Sequence, residues 1–515
     1  MSIRVRAAWA ALLPLVVFAL HASAFEAWIV DDAGISYSYA RSLAHGDGLI
    51  AQGGSPPVEG FSNALWVLLL AAVSFVGGFH PVHTVKILAT ALVGISFLLL
   101  SFSLVKGWVR SPLPVGLALA TSAVLTPFAV WTVSGLENAL YVCLLSILAA
   151  ISLATGCRGS TSRHDAILFA LVCFLLFLTR PDGLLYVVLP PYFIGLVGYR
   201  EERPQRLVAG YGLLFILFFL ITTVGRIAYF HDVLPNTYYA KAGPQWQLTA
   251  GLLDSLGVVI GGLVFAVVVA LLLLVGIALC FHVAERLRAN GVVCSPLLVM
   301  ATYSLTAYVV FELLPTDWMP DFRFATPLFL FVPLLILEIV RSVAKISVPE
   351  RKDLTQSIAG VVLVVLASVY SAEQTRSFLR APTVPFQDVR DLSVSLARFA
   401  DGLGLDRAVI LLPDIGGSLW EDRFDVIDMS GLTDKTIGRT FVRERNAFLD
   451  HLRKRPPDLV WIHGNWQKRA GLEEYSWFRS EYAVCSSAAS IGREDGVLYV
   501  KKDLAKTGHC RGLRS

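Results

Sequence analysis

Residues 258–281 read VVIGGLVFAVVVALLLLVGIALCF, an uncharged run longer than the ~18 residues that identify a membrane-crossing helix. The rest of the chain repeats the theme. Apolar segments lie near 7–25, 64–79, 84–105, 113–131, 136–154, 164–179, 183–199, 207–228, 256–283, 295–312, 324–343 and 356–372. Over 515 residues, 55% are hydrophobic, 16% are charged and the mean hydropathy is +0.64. A soluble domain carries about a quarter charged residues, so the composition excludes that class. Arg4 and Arg6 before the first run, with Ala22-Ser23-Ala24 after it, resemble a cleaved signal. The many later spans favour an uncleaved first helix.

Basic residues set the orientation. Segment 64–79 is short and follows the Gly/Pro-rich stretch 46–60, so it reads as a helix lying along the membrane surface. Eleven spans then remain. Inside fall Arg4, Arg6, Lys106, Arg110, Arg158, Arg163, Arg200, Arg203, Arg206, Arg286, Arg288, Arg341, Lys345, Arg351 and Lys352. The outer connectors before residue 372 hold only Arg41, Arg180, Lys241 and Arg323. That asymmetry is the positive-inside pattern, and the odd count leaves the C-terminal region outside. The division expected is a polytopic α-helical domain over 1–375, with a first outer loop and juxtamembrane helix at 26–83, and an α/β domain over 376–515. In the latter, helices are expected at 384–403 and 442–453. Strands are expected at 408–412, 424–427, 458–462, 482–485 and 497–500. Cys485 and Cys510 both lie there and can pair in an oxidising compartment. The other five cysteines read as apolar packing residues.

With this topology every unusual polar cluster falls outside. The loop 26–63 carries Glu26, Asp31, Asp32, Arg41, His45, Asp47 and Glu59. Ser134-Gly135-Leu136-Glu137-Asn138 opens one span, and Thr179-Arg180-Pro181-Asp182-Gly183 joins two. His231–Lys241 includes Asn236, Tyr238 and Tyr239, and Asp317-Trp318-Met319-Pro320 precedes Arg323-Phe324. Asp31-Asp32 is the sharpest feature: adjacency raises one carboxyl pKa while basic neighbours lower the other. Plainer readings stand beside these. The pair also suits a helix cap before Ile35, the aromatics suit an interfacial belt, and single loop ions are commonly solvated or structurally paired. Glu137 is costly at a span entrance unless paired or wet. Gly416-Gly417 reads as a turn.

Taken in order, the motifs Asp31-Asp32 with Ile35–Arg41, Val58–Trp66, Ser134–Glu137, Thr179–Gly183, Leu234–Lys241 and Asp317–Phe324 resemble the GT-C superfamily of membrane glycosyltransferases. The pattern is most similar to arabinofuranosyltransferases that use polyprenyl-phosphate arabinofuranose, the branch of the mycobacterial terminal β-(1→2)-arabinofuranosyltransferase and the type IV pilin arabinosyltransferase. The resemblance covers about 25–330 and extends more faintly to Asp414–Asp434. Pro315-Thr316 stands where relatives show Gly-Gly before Asp-Trp. It implies inverting transfer of a sugar from a polyprenyl-phosphate donor to an extracytoplasmic hydroxyl on a glycan or protein such as pilin, at the periplasmic face of a bacterial inner membrane. Asp31 is then the expected general base and Asp32 the residue orienting the acceptor. Arg180, Lys241 and Arg323 are expected on the donor phosphate. Glu59, Glu137, Asn236, Tyr238, Tyr239, Asp317 and Trp318 are expected on the substrates. No metal ligand set or cofactor is called for by spacing, though a divalent cation would suit the carboxylates. The competing readings are a mannosyl or hexosyl transferase of the same superfamily, a lipid or solute transporter, and a non-catalytic scaffold.

Overall fold

A computed structural model describes residues 2–25, 27–107, 111–197, 203–241, 256–315, 317–441, 443–485 and 495–505. The membrane part comprises α1 (Ile3–Ser23), α2 (Asp32–His45), α3 (Ala64–Val76), α4 (His83–Gly107), α5 (Pro112–Val124), α6 (Thr126–Thr132), α7 (Asn138–Arg158), α8 (Arg163–Thr179), α9 (Leu189–Val197), α10 (Pro204–Phe230), α11 (Asn236–Lys241), α12 (Val258–Ala289), α13 (Pro296–Leu313), α14 (Thr326–Ser347) and α15 (Lys352–Arg380). Among the described residues, eight helices are long and apolar enough to cross a membrane. The α5–α6 pair makes a ninth candidate. Helix α8, with 17 residues, and the apolar segment Pro181–Val197 are shorter, and the expected eleven is reached only by counting both.

Two segments depart from simple spans, each for a local reason. The expected run 113–131 is broken, with α5 and α6 meeting at 72°. Pro127 cannot donate a backbone hydrogen bond. The carbonyl this leaves unmet, Ala123 O, lies 3.1 Å from His21 Nδ1, and Thr126, which opens α6, is tied to α15: its N–H donates to Ser371 Oγ at 3.3 Å and its Oγ1 to Ser371 O at 2.9 Å. The run expected at 183–199 begins as a 3₁₀ helix, Pro181–Val188, before α9. Helix α3, at 13 residues, is about 20 Å long, short of the ~30 Å apolar core. It lies within 64–79, where a helix too short to span is expected.

Beyond α15, which runs through the expected boundary at 375/376, come α16 (Phe386–Gly402), β1 (Val409–Leu412), α17 (Gly416–Glu421), β2 (Asp425–Asp428), α18 (Lys435–Thr440), α19 (Arg445–Lys454), β3 (Leu459–His463), α20 (Asn465–Ala470), β4 (Tyr482–Val484) and β5 (Gly496–Lys501). The strand order is β2-β1-β3-β5-β4; β1 is parallel to both β2 and β3, whereas β5 is antiparallel to β3 and β4. Residues alternate between two buried faces. Leu411, Ile427, Val460 and Ile462 pack with Phe448, Leu449 and Leu452 of α19. Ile410, Leu412, Val426, Leu459 and Trp461 join a core containing Leu392, Leu396 and Ala400 of α16 that continues into the membrane helices. Burial on both faces is what a parallel sheet requires. Cys485 is disulfide-bonded, while Cys510 lies outside the described residues.

The sheet domain is fastened to the chain just before α2. Phe386 N–H donates to Ile29 O at 2.8 Å, Asp31 N–H to Val384 O at 2.9 Å and Trp28 Nε1–H to Thr383 O at 2.8 Å. Gln52 pairs with the edge strand β2 in both directions, donating to Val426 O and accepting from Val426 N–H, each at 2.9 Å. Helix α17 meets α2 through glycines. A Cβ on Gly416 would sit 1.8 Å from Asp31 O, and one on Gly34 would sit 2.5 Å from the Gly416 backbone. Overpacking of this kind costs about 1–3 kcal/mol. Gly416→Ala and Gly34→Ala should therefore lower the thermal midpoint and expose residues 381–385 to protease, whereas Gly210→Ala, which meets open space, should do neither. Thermal unfolding and limited proteolysis in detergent read both.

Candidate active site

The two adjacent carboxylates occupy different environments. Asp31 is the buried N-cap of α2, yet its side chain caps nothing in that helix. Instead, Gly416 N–H donates to Oδ2 at 2.9 Å and Gly417 N–H donates to Oδ1 at 2.7 Å. Burial, then the nearby Asp414 carboxylate, pushes the Asp31 pKa well above the usual carboxylate range, and the two N–H groups pull against that. Asp32 is half-buried and, among the described residues, makes no hydrogen bond or ion pair. Burial raises its pKa; Lys241 and then Arg323 lower it, and Asp414 and Asp317 raise it. The second carboxylate thus lies among two cations and two further acids, with its oxygens uncommitted.

The cations divide in the same way. Lys241, exposed at the end of α11, has no hydrogen-bond or ion-pair partner among the described residues. Arg323 is buried between aromatic rings, 4.6 Å from the Phe324 centroid and 6.0 Å from that of Trp131. Its Nε lies 2.7 Å from Asp317 Oδ2, although the two are not aligned as a hydrogen bond. Arg180, by contrast, is consumed. Its Nη1 donates to Glu137 Oε1 at 3.0 Å and its Nε to Asp182 Oδ1 at 2.9 Å. It also stands 4.6 Å from the Phe324 ring centroid. Glu137 accepts in addition from Asn63 Nδ2 at 2.9 Å.

Other expected substrate residues are also committed to protein contacts. Glu59 takes two bonds from Arg226, at 2.6 and 3.2 Å. Asn236 donates from Nδ2 to Gly431 O at 2.7 Å and Leu432 O at 2.9 Å, tying α11 to the sheet domain. Tyr239 is buried under Arg439, 4.3 Å from its ring centroid, and Tyr238 packs against Tyr239 edge-on. Trp318 is 55% exposed, so it is available to a substrate or to lipid. Glu26 lies outside the described residues. Thus Asp31, Asp32, Lys241, Arg323 and Asp317 come together, while Arg180, Glu59, Glu137 and Asn236 serve as the braces around them. No group of three or more His, Cys, Asp or Glu placed to hold a metal ion is found among the described residues.

The motif resemblance reaches Asp414 only faintly and gives it no role, His463 falls outside it, and Gly416-Gly417 reads in sequence as a simple turn. The further signal is position: Asp414 and Gly416 follow β1, and His463 ends β3, at the carboxyl ends of parallel strands where open α/β sheets bind ligands.

No family model matches the sequence, and no curated protein matches it. Among solved structures, the chain is similar to the archaeal oligosaccharyltransferase AglB from Archaeoglobus fulgidus in complex with an inhibitory peptide and a dolichol-phosphate. The TM-score is 0.51 at 9% identity, covering 98% of this chain and 76% of that one. ArnT from Cupriavidus metallidurans bound to undecaprenyl phosphate also matches, with a TM-score of 0.45 at 11% identity over 96% of this chain and 98% of that one. The match to the oligosaccharyltransferase shows a shared polytopic membrane fold.

The buried bracing has a measurable weight. Breaking a buried ion pair by removing one partner costs about 3–5 kcal/mol, and Arg180 keeps Asp182 when Glu137 is lost. Glu137→Ala should therefore destabilise by about 3 kcal/mol, the low end of that range, seen as a drop in unfolding midpoint. Lys241→Ala should leave the midpoint unchanged.

Proposed function

We propose that the chain is a membrane glycosyltransferase that moves a sugar, arabinofuranose on the motif pattern, from a polyprenyl-phosphate donor to an extracytoplasmic hydroxyl. The observation that carries this reading is Asp32: an uncommitted, half-buried carboxylate beside an immobilised twin, with Lys241 and Arg323 close by. The shared fold supports it, since the matching oligosaccharyltransferase structure contains a dolichol-phosphate and a peptide. So do the ordered motifs between residues 25 and 330.

On this reading the expected roles of the two acids reverse. Asp32 takes the proton from the acceptor hydroxyl as its oxygen attacks the anomeric carbon. The bond from that carbon to the phosphate oxygen breaks on the opposite face, so configuration inverts. The phosphate leaves as an anion, and Lys241 and Arg323 stabilise its growing charge. Asp31 fixes the start of α2, where Asp32 lies, and does not itself touch the proton. Asp317 keeps Arg323 in place. Arg180 braces Glu137 and Asp182 and does not meet the donor. Glu59, Asn236 and Tyr239 shape the wall, and Trp318 and Tyr238 are left to flank the sugar or the prenyl chain. The reading places residues 1–375 as the catalytic membrane domain in a bacterial inner membrane, with the site and residues 376–515 on the periplasmic side, as the basic-residue asymmetry suggests. The acceptor is a glycan or a protein such as pilin.

Transfer from polyprenyl-phosphate arabinofuranose in purified membranes tests the reading. Asp32→Asn should abolish transfer, by at least the 10²–10⁴-fold that a general base supplies, with no change in thermal midpoint. Asp31→Asn should lower both, because its amide would point an N–H at one of the two glycine N–H groups. Equal transfer by wild type and Asp32→Asn would refute the mechanism, and activity with a hexose donor alone would refute the sugar.

A further inference from the structure

At the carboxyl edge of the parallel strands lies a cleft of about 550 Å³, lined by His463, Gly464, Asn465, Trp466, Lys468 and Asp495. The reaction described above uses none of these residues. They are nevertheless connected to it. His463 Nε2 is 2.7 Å from Oδ2 of Asp414, on the loop after β1. Two residues further along that loop, the N–H groups of Gly416 and Gly417 hold Asp31. One imidazole–carboxylate pair therefore links the floor of the cleft to the start of α2, where Asp32 lies.

The lining says what chemistry the cleft can take. Its volume lies in the ~300–1,000 Å³ range of small-molecule sites. Two cations, Lys468 in the lining and Arg469 on the Trp466 ring, are matched by two carboxylates, Asp495 in the lining and Asp414 on His463, so the cleft has no excess charge with which to select an anion. The remaining groups are an indole, a primary amide and an imidazole: donors and acceptors set around a flat apolar surface. The indole is held in place, with Arg469 4.6 Å from the Trp466 ring centroid and Phe441 packed beside it. A Cβ on Gly464, whose φ is +51°, would come within 3.1 Å of the Asp495 carboxylate, so glycine keeps the floor open. A flat ring ringed by neutral hydrogen-bonding groups fits a polyhydroxylated ring better than a phosphate or a charged peptide.

We propose that this cleft binds a neutral glycan, the acceptor chain of the transfer. A sugar ring lies against Trp466, with hydroxyls on His463 and Asn465. The Asp414–His463 pair sets the register of the chain relative to Asp32. The inference rests on the transfer reading for its role, but not for the binding itself.

Full-length protein in nanodiscs, titrated with a methyl glycoside of an arabinofuranose disaccharide and followed by saturation-transfer NMR, separates the two. Wild type and Asp32→Asn should bind the disaccharide alike. Trp466→Ala should weaken binding at least tenfold, and Asn465→Ala, a substitution at an exposed position, several-fold. In the transfer assay both cleft variants should raise the acceptor KM and leave the donor KM unchanged. If Trp466→Ala fails to fold, Asn465→Ala carries the test. Undiminished binding by Asn465→Ala, no binding of the disaccharide by wild type, or competition at the cleft by a pilin peptide alone would each overturn the proposal. Should Asp32→Asn still transfer sugar while the cleft variants lose binding, the site stands and the assignment of the base falls.

Discussion

Two backbone N–H groups, those of Gly416 and Gly417, donate to the two oxygens of one buried carboxylate, Asp31. Hydrogen bonds to a charged group contribute about 1.5–3 kcal/mol each, and leaving such a group buried and unmet costs at least as much. The rest of the architecture is arranged to make this contact. The donors sit on the first turn of α17, which only glycine allows to approach α2 so closely. The sheet is oriented by strand-like pairing of Val30 with Pro385. Arg41 adds a further tie, donating to Leu419 O at 3.1 Å from the same face of α2. The membrane helices and the sheet domain are thereby joined at the residue next to Asp32, and an error in either would be felt there first.

Charge is sorted around this point by commitment. Arg180 with Glu137 and Asp182, and Arg226 with Glu59, are closed pairs in buried surroundings. Such pairs add little net stability relative to apolar packing, but they are strongly destabilising when broken. They therefore suit bracing: Arg180 with Glu137 ties the end of α8 to the start of α7, and Arg226 with Glu59 ties α10 to the loop before α3. Lys241 and Arg323 are different. One is without a partner among the described residues, and the other touches Asp317 without hydrogen-bond alignment. Positive charge of this kind is still available to an incoming anion.

The sequence made the elements legible wherever a local signal existed. The five strands fall within a residue or two of their expected places because each is a short β-branched run bounded by turn residues. Helix α3 is legible by its length against the bilayer. The Asp31-Asp32 pair and the polar connectors stand out because charge is scarce in the chain. Pro127 was visible as a residue, but the partners that meet the polar groups at the 72° bend, Ser371 for Thr126 and His21 for Ala123 O, lie far away in sequence. Arg180 resembled a phosphate ligand for the same reason: its partners Glu137 and Asp182 are brought to it by packing. The order of roles within the acidic pair was illegible, since it rests on Gly416 and Gly417, some 385 residues on. The Asp414–His463 pair joins two strands through the sheet and leaves no spacing to recognise.

The pH dependence of transfer tests most directly whether Asp32 takes the proton. Only the ionised carboxylate can act, and burial raises its pKa above 3.8, so activity should fall as pH drops through a limb above the ordinary carboxylate range. Removing the Lys241 charge withdraws a stabiliser of the anion, so Lys241→Ala should move that limb to higher pH as well as slow transfer. A limb that stays in place in Lys241→Ala, or moves to lower pH, would contradict the account.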